Sequence, residues 1–188
     1  LRSTLLQNIS GYSDNEYHRE LSDMLLNYLD KLNDSPVTLK DYEVEGITGT
    51  YTTNTDELTL KYYDENTYLH EVLHNFTSST FYKVSNDVSD NPLEIEYYNK
   101  INELYDFAKQ NTTVEYYGLT NTREFISEAF TNKDFQKYLK NLVLDKEYKV
   151  TAWQRFIDII SDYFNKLFGD SEYTNVLDET INLTLDFI

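Results

Sequence analysis

The sequence predicts an α+β protein in which a small twisted β-sheet precedes a helix with two histidines, followed by a mainly helical C-terminal half. Only 5 Gly and 2 Pro occur among 188 residues, which favours long helices over a turn-rich β fold. β-Branched and aromatic residues are frequent between residues 37 and 63, which is typical of strands. Apolar residues recur at helical spacing through most of the later sequence.

Length and charge limit the kinds of protein that the chain can be. A chain of 188 residues suggests one domain with an addition, and we divide it into a main domain over 1–149 and a helical appendage over 150–188. The formal net charge of −17 disfavours nucleic acid and anionic membrane surfaces as partners, and it would attract a basic one. Acidity also simply keeps a protein soluble. No apolar run approaches the about 20 residues of a membrane span.

The N-terminal region is predicted to contain one helix, over residues 14–33. Ser13 and Glu16 have the spacing of a capping box at its start. A turn-like segment ending at Pro36 closes it. His18 lies among charged residues near the start of this helix, and we assign it no role. The apolar residues at helical spacing are Leu21, Met24, Leu25, Tyr28, Leu29 and Leu32.

Three strands are predicted next, over residues 37–39, 47–53 and 58–63. The second and third are separated by a short polar turn and therefore form a hairpin that leads directly into the following helix. The last strand is either an edge strand, to which an extended peptide could add, or an ordinary internal strand.

The helix over residues 65–85 contains the segment His70-Glu71-Val72-Leu73-His74. Residues four apart lie on one face of a helix, so both imidazoles can bind one metal ion with the glutamate beside them. This arrangement is typical of zinc-dependent hydrolases. The alternative is a pair of surface histidines. The apolar stripe that predicts the helix consists of Leu69, Val72, Leu73 and Phe76.

The second half is predicted to be helical. One helix spans 93–109, a second opens at 121 and continues through 131–142, and a last one spans 174–188. A charged connector at 145–149 precedes a strongly amphipathic helix, which opens with a capping box at Thr151 and ends at Gly169. This helix and the last one form the predicted appendage.

A catalytic zinc ion usually has three protein ligands and an open position. The chain has no cysteine and only one other histidine, so the third ligand is expected to be a carboxylate. Glu124 and Glu128 lie one helical turn apart and are both candidates. Glu124 would equally complete a capping box with Asn121, and Glu128 could pair with Arg123 or orient a histidine.

A resemblance to a known family rests on residues 117–130. This stretch contains Tyr117-Gly118, then Asn121, and then the run Glu124-Phe125-Ile126-Ser127-Glu128-Ala129-Phe130. With the upstream histidine segment, it resembles the gluzincin metallopeptidases of the anthrax lethal factor-like group, which includes the Pro-Pro endopeptidases. The resemblance covers roughly residues 46–142 and implies a zincin-like fold. At position 73 these enzymes commonly have a small residue. The larger Leu73 would leave less room for the close approach of a substrate.

The resemblance implies zinc bound by His70, His74 and Glu124. It also implies that Glu71 is the general base and that Tyr117 donates a hydrogen bond in the transition state, with Tyr116 as its rival. The function expected is hydrolysis of protein or peptide substrates. Basic substrates would be attracted by the acidic chain. Similar segments occur in large bacteriophage virion proteins. The alternative is therefore a weakly active or inactive structural or cargo domain, packed in a larger assembly through its helical tail, and the location would be virion-associated or secreted.

Overall fold

The computed structural model describes residues 2–27, 36–40 and 46–168. These residues form a mainly helical protein with a small mixed β-sheet, which agrees with the predicted α+β class. They fall into two compact units, one of residues up to Phe76 and one of residues from Thr77 onward. The predicted division at residue 149 is a different one, based on sequence composition, and it stays a prediction.

The first unit begins with two helices that pack against each other, α1 (Arg2–Tyr12) and α2 (Glu16–Asn27). The helix α1, which buries Leu6 and Ile9 on one side, was not predicted. The predicted cap of α2, Ser13, was wrong. Asn15 caps this helix, because its Oδ1 accepts a hydrogen bond from the backbone N–H of His18 at 3.3 Å. The predicted end of the helix, at 33–36, lies largely outside the described residues.

Three strands follow in the first unit: β1 (Val37–Leu39), β2 (Gly49–Thr52) and β3 (Glu57–Leu60). The strands β2 and β3 form the predicted antiparallel hairpin, and β1 pairs with β3 in parallel. Within this sheet β3 is therefore the middle strand, so the interpretation of β3 as an edge strand was wrong. The edge of the hairpin is β2, because a parallel β1 occupies the other side of β3.

The predicted histidine helix is present as α3 (Glu65–Ser85), and the boundary between the two units lies within it. Its apolar stripe is confirmed at three of the four predicted residues, with Leu69 and Val72 fully buried and Leu73 only 1 % exposed, while Phe76 is partly exposed. The Leu73 side chain therefore belongs to the core.

In the second unit, α3 continues from Thr77, followed by α4 (Pro92–Gln110) and a 3₁₀ turn (Tyr117–Leu119). Then come α5 (Thr122–Thr131), α6 (Lys133–Asn141), a hairpin of β4 (Val143–Asp145) and β5 (Val150–Thr151), and α7 (Ala152–Phe168). The helix predicted over 174–188 lies outside the described residues.

The second unit has an aromatic core to which α7 contributes. Phe156 of α7 packs edge-on against Phe125 and Phe130, and Phe125 also contacts Phe135. The predicted Thr151 cap is confirmed by a bond from the Gln154 backbone N–H to Thr151 Oγ1 at 3.2 Å. The helix predicted over 131–142 instead begins anew at Lys133, because Asn132 caps it.

Candidate metal centre

The two motif histidines lie one above the other on α3. The Nε2 atoms of His70 and His74 are 3.1 Å apart, and the rings meet edge to face with their centres 4.8 Å apart. Two ligands of a tetrahedral zinc ion, at about 2.0–2.1 Å from it, lie about 3.3 Å apart, so the observed spacing suits a shared metal. A hydrogen bond between two neutral imidazoles would give a similar distance.

Glu71 has a different environment from the histidines on either side of it. Its side chain is 6 % exposed and lies against β2 at Gly49. A Cβ at position 49 would stand 3.0 Å from Cγ and 3.1 Å from Oε1 of Glu71. The tightest contact of such a Cβ would be with Thr67 Cγ2 at 2.7 Å, so glycine is what lets β2 come this close to α3. This close approach could not be predicted, because residues 49 and 71 are distant in the chain.

Glu124 lies in the first turn of α5. Asn121 caps this helix by accepting hydrogen bonds from the backbone N–H groups of Arg123 and Glu124, each at 3.0 Å. This part of the cap uses the backbone N–H of Glu124, so it is compatible with the carboxylate as a metal ligand.

His70, His74 and Glu124 each offer one ligand atom, and these atoms lie within 4.8 Å of one another, so the group could hold a metal ion. Two imidazole nitrogens and one carboxylate oxygen are a donor set that zinc uses in catalytic sites. The residues present therefore fit the ion that the motif implies.

Glu128, the rival ligand, does not belong to this group. Its side chain is 9 % exposed, and its Oε2 accepts a hydrogen bond from Asn132 Nδ2 at 2.7 Å. Since Asn132 also caps α6, this contact ties Glu128 to the junction between α5 and α6.

The two rival tyrosines differ in exposure. Tyr116 stacks on Tyr138 with ring centres 4.7 Å apart, whereas 61 % of the Tyr117 side chain is exposed. A Cβ on the following residue, Gly118, would lie 2.7 Å from Cε1 of Phe135, so only glycine allows the turn to approach α6 this closely. Tyr117 is therefore the more accessible of the two tyrosines.

His18, to which no role was assigned, contacts α3. Its Nδ1 lies 2.9 Å from Oε2 of Glu65, which also accepts a hydrogen bond from Ser13 Oγ at 2.6 Å. Ser13, the predicted cap of α2, therefore bonds to the first turn of α3 instead.

No protein-family model, curated protein or solved structure matches the chain. No described helix is long and apolar enough to cross a membrane.

Proposed function

We propose that the chain is a zinc-dependent endopeptidase of the gluzincin type with a zincin-like fold. The observation that carries the proposal is the grouping of His70, His74 and Glu124, the three residues that the resemblance implies as ligands. Glu71 strengthens it, because a purely structural metal site has no use for a buried base next to its ligands.

His70, His74 and Glu124 would hold the ion and leave a position for water. A zinc ion bound there would lower the pKa of that water to about 7 and polarise a peptide carbonyl. The ligands come from two different helices, and the Asn121 cap fixes the helix end that presents Glu124.

Glu71 would act as general base and then as general acid. It takes a proton from the attacking water, whose oxygen forms a bond to the peptide carbonyl carbon. As the carbon–nitrogen bond breaks, the same carboxyl group delivers the proton to the leaving amine. Burial keeps competing bulk water away from this carboxylate.

Tyr117 would stabilise the developing oxyanion by donating a hydrogen bond from its hydroxyl group. Its exposure makes the hydroxyl accessible to a bound peptide, and Gly118 lets the 3₁₀ turn sit tightly against α6. Tyr116 would support the same turn through its stacking on Tyr138.

The substrate would be a protein or peptide in an extended conformation. The edge strand β2 lies against Glu71, so a peptide that pairs with its backbone would pass next to the base. The net charge of −17 would speed the association of basic substrates.

Metal content by mass spectrometry tests the proposal first, on the wild type, Glu124→Ala and Glu128→Ala. We expect about one zinc ion per chain in the wild type and in Glu128→Ala, and loss of the ion in Glu124→Ala. Zinc retained in Glu124→Ala but lost in Glu128→Ala would move the third ligand to Glu128. A wild type that takes up no zinc after supplementation would overturn the proposal.

Activity is tested with a mixture of fluorogenic peptides and the variant Glu71→Gln. We expect this variant to keep its zinc and to lose about 10²–10⁴-fold in kcat, since the amide cannot accept the proton. Zinc binding without hydrolysis by the wild type would support the alternative of an inactive structural domain on the same scaffold.

A further inference from the structure

A partly buried polar cluster joins α1, the β2–β3 hairpin and α3 beside the two motif histidines. We define the Asn75 cluster as Arg2, Tyr51, Asp56 and Asn75. Asn75 directly follows His74, and its Nδ2 donates hydrogen bonds to Tyr51 Oη at 2.8 Å and to Asp56 Oδ1 at 3.0 Å. Tyr51 Oη in turn donates to Asp56 Oδ1 at 3.0 Å.

Arg2 completes the cluster from α1. Its guanidinium donates from Nη1 to Asp56 Oδ1 at 2.8 Å and from Nη2 to the Asp56 carbonyl at 2.5 Å. The Arg2 side chain is only 1 % exposed, and its charge also lies over the Tyr51 ring, 5.6 Å from its centre. Asp56 has a positive φ of 51°, so the bonds hold the hairpin turn in an unusual conformation.

The cluster lies on the same two elements as the proposed base. Residues 71 and 75 are four apart on α3 and therefore share a face, about 6 Å apart along the helix axis. Residues 49 and 51 are two apart on β2 and also share a face, about 6.7 Å apart. Gly49 lies against Glu71 and Tyr51 bonds to Asn75, so strand and helix run side by side with matched spacing.

This matching makes the register of β2 on α3 important for Glu71. A shift of one residue would turn the opposite face of β2 toward the helix. A shift of two residues would place the bulky Tyr51 where Gly49 now leaves room for Glu71. The hydrogen bonds of Asn75 hold the strand in the one register that gives this carboxylate its space.

We propose that the Asn75 cluster is a positioning device that fixes β2 against α3 and thereby holds Glu71 and the neighbouring histidines in place. Its members are positioning residues, and none of them belongs to the candidate ligand group. This inference rests on the proposed zinc site. It adds that residues outside the site support it, among them Arg2 of the N-terminal helix α1.

The test measures how fast bound zinc leaves the protein, using a chromogenic chelator, in Tyr51→Phe, Asn75→Ala and the double variant. Tyr138→Phe is the matched control, because it also removes a hydroxyl of a partly buried tyrosine, which donates to the Ala108 carbonyl at 2.6 Å. All are measured well below their melting temperatures. Zinc alone is the probe, so no substrate is needed.

We expect the two single variants to release zinc about tenfold faster than the wild type, which is typical for loss of outer support at a metal site. The acceleration in the double variant should be smaller than the product of the two single effects, because both substitutions remove the bond between Asn75 and Tyr51 while each also removes one bond of its own to Asp56. The control should release zinc at the wild-type rate. The cobalt(II) form should show an altered absorption band in the cluster variants alone.

The positioning role would be overturned if both cluster variants bind zinc, release it at the wild-type rate and show the wild-type cobalt spectrum. The proposed function would then remain intact. Equal acceleration in the control would also overturn it, since a general loss of stability would then explain the effect. A wild type that binds no zinc would defeat the proposed function itself, and with it this inference.

Discussion

At the scale of single residues, the two adjacent tyrosines provide a direct comparison. We expect Tyr117→Phe to lower kcat by about 10-fold or more, because one hydrogen bond to the oxyanion is lost, with zinc content unchanged. Tyr116→Phe should keep kcat near the wild-type value, since its ring stacks on Tyr138 and the substitution preserves the ring. Peptide hydrolysis by the two variants checks this. The opposite ranking would assign the catalytic role to Tyr116.

Gly118 gives a second prediction at this scale. Gly118→Ala would bring a Cβ within 2.7 Å of the Phe135 ring and 3.0 Å of the Glu128 Cβ, and we expect it to destabilise the fold by about 1–3 kcal/mol. Urea unfolding measures this. Gly11→Ala is the control, because nothing lies within 4 Å of a Cβ at that helical position, and it should stabilise by about 0.5–1 kcal/mol. Equal effects of the two substitutions would contradict the prediction.

At the scale of secondary-structure elements, the Arg2–Asp56 pair connects α1 to the hairpin. Asp56→Ala leaves the buried guanidinium without its carboxylate, and we expect a loss of about 3 kcal/mol in the free energy of unfolding. Arg2→Met should cost less, because the apolar side chain leaves no buried charge behind. Chemical denaturation of both variants tests the order, and a larger cost for Arg2→Met would refute the explanation.

The helices α4 and α7 are joined by an exposed ion-pair network of Glu96, Lys100, Asp162 and Lys166. Hydrogen bonds from the two lysines lower the pKa of Glu96 and of Asp162 below their ordinary values of 4.5 and 3.8. Carboxyl groups with a lowered pKa in the folded state add stability above those ordinary values, and this stability is lost as the pH falls through the lowered values.

The difference in unfolding free energy between wild type and Asp162→Asn should therefore be present at pH 7 and vanish well below pH 3.8. It should also shrink at high salt, since the groups are exposed. Thermal unfolding at several pH values and two ionic strengths measures this. A difference that persists unchanged in acid would show that the network is not its source.

An element could be predicted from the sequence where the pattern that indicates it lies within the element itself. The helical spacing of Leu69, Val72 and Leu73 is local, and α3 was found with its core face. The central position of β3 was missed because it follows from parallel pairing with β1, which no local pattern reveals. The break at Asn132 was missed because the apolar spacing continues through it while the cap interrupts the helix.

At the scale of the whole molecule, metal binding should stabilise the fold. Only the folded chain brings His70, His74 and Glu124 together, so zinc at 100 times its dissociation constant should add about 2.7 kcal/mol. We expect the melting temperature to rise with zinc and to fall after treatment with a chelator. His70→Ala should abolish the rise. An equal rise in that variant would place the binding site elsewhere.

The sequence allowed the residues that form the candidate site to be predicted, but not the residues that support them. Histidines four apart specify a shared face, and the family resemblance implied Glu124 as the third ligand where the residues alone left Glu128 as a rival. Glu124 lies in the group that could hold a metal ion. The supports of the site were not predictable. Gly49 beneath Glu71 and the bonds of Asn75 depend on the pairing of a distant strand with the helix, which the sequence does not encode locally.

The missing Cβ at Gly49 has a consequence for recognising relatives of this protein. Across diverging sequences, a glycine at this strand position should be inherited together with the side chains at positions 67 and 71, since a Cβ here would stand 2.7 Å from Thr67 Cγ2 and 3.0 Å from Glu71 Cγ. Where both of these side chains have become smaller, the glycine should vary freely. A signature of the glycine with both helix residues would therefore separate lineages that keep this close approach of strand and helix from those that have lost it.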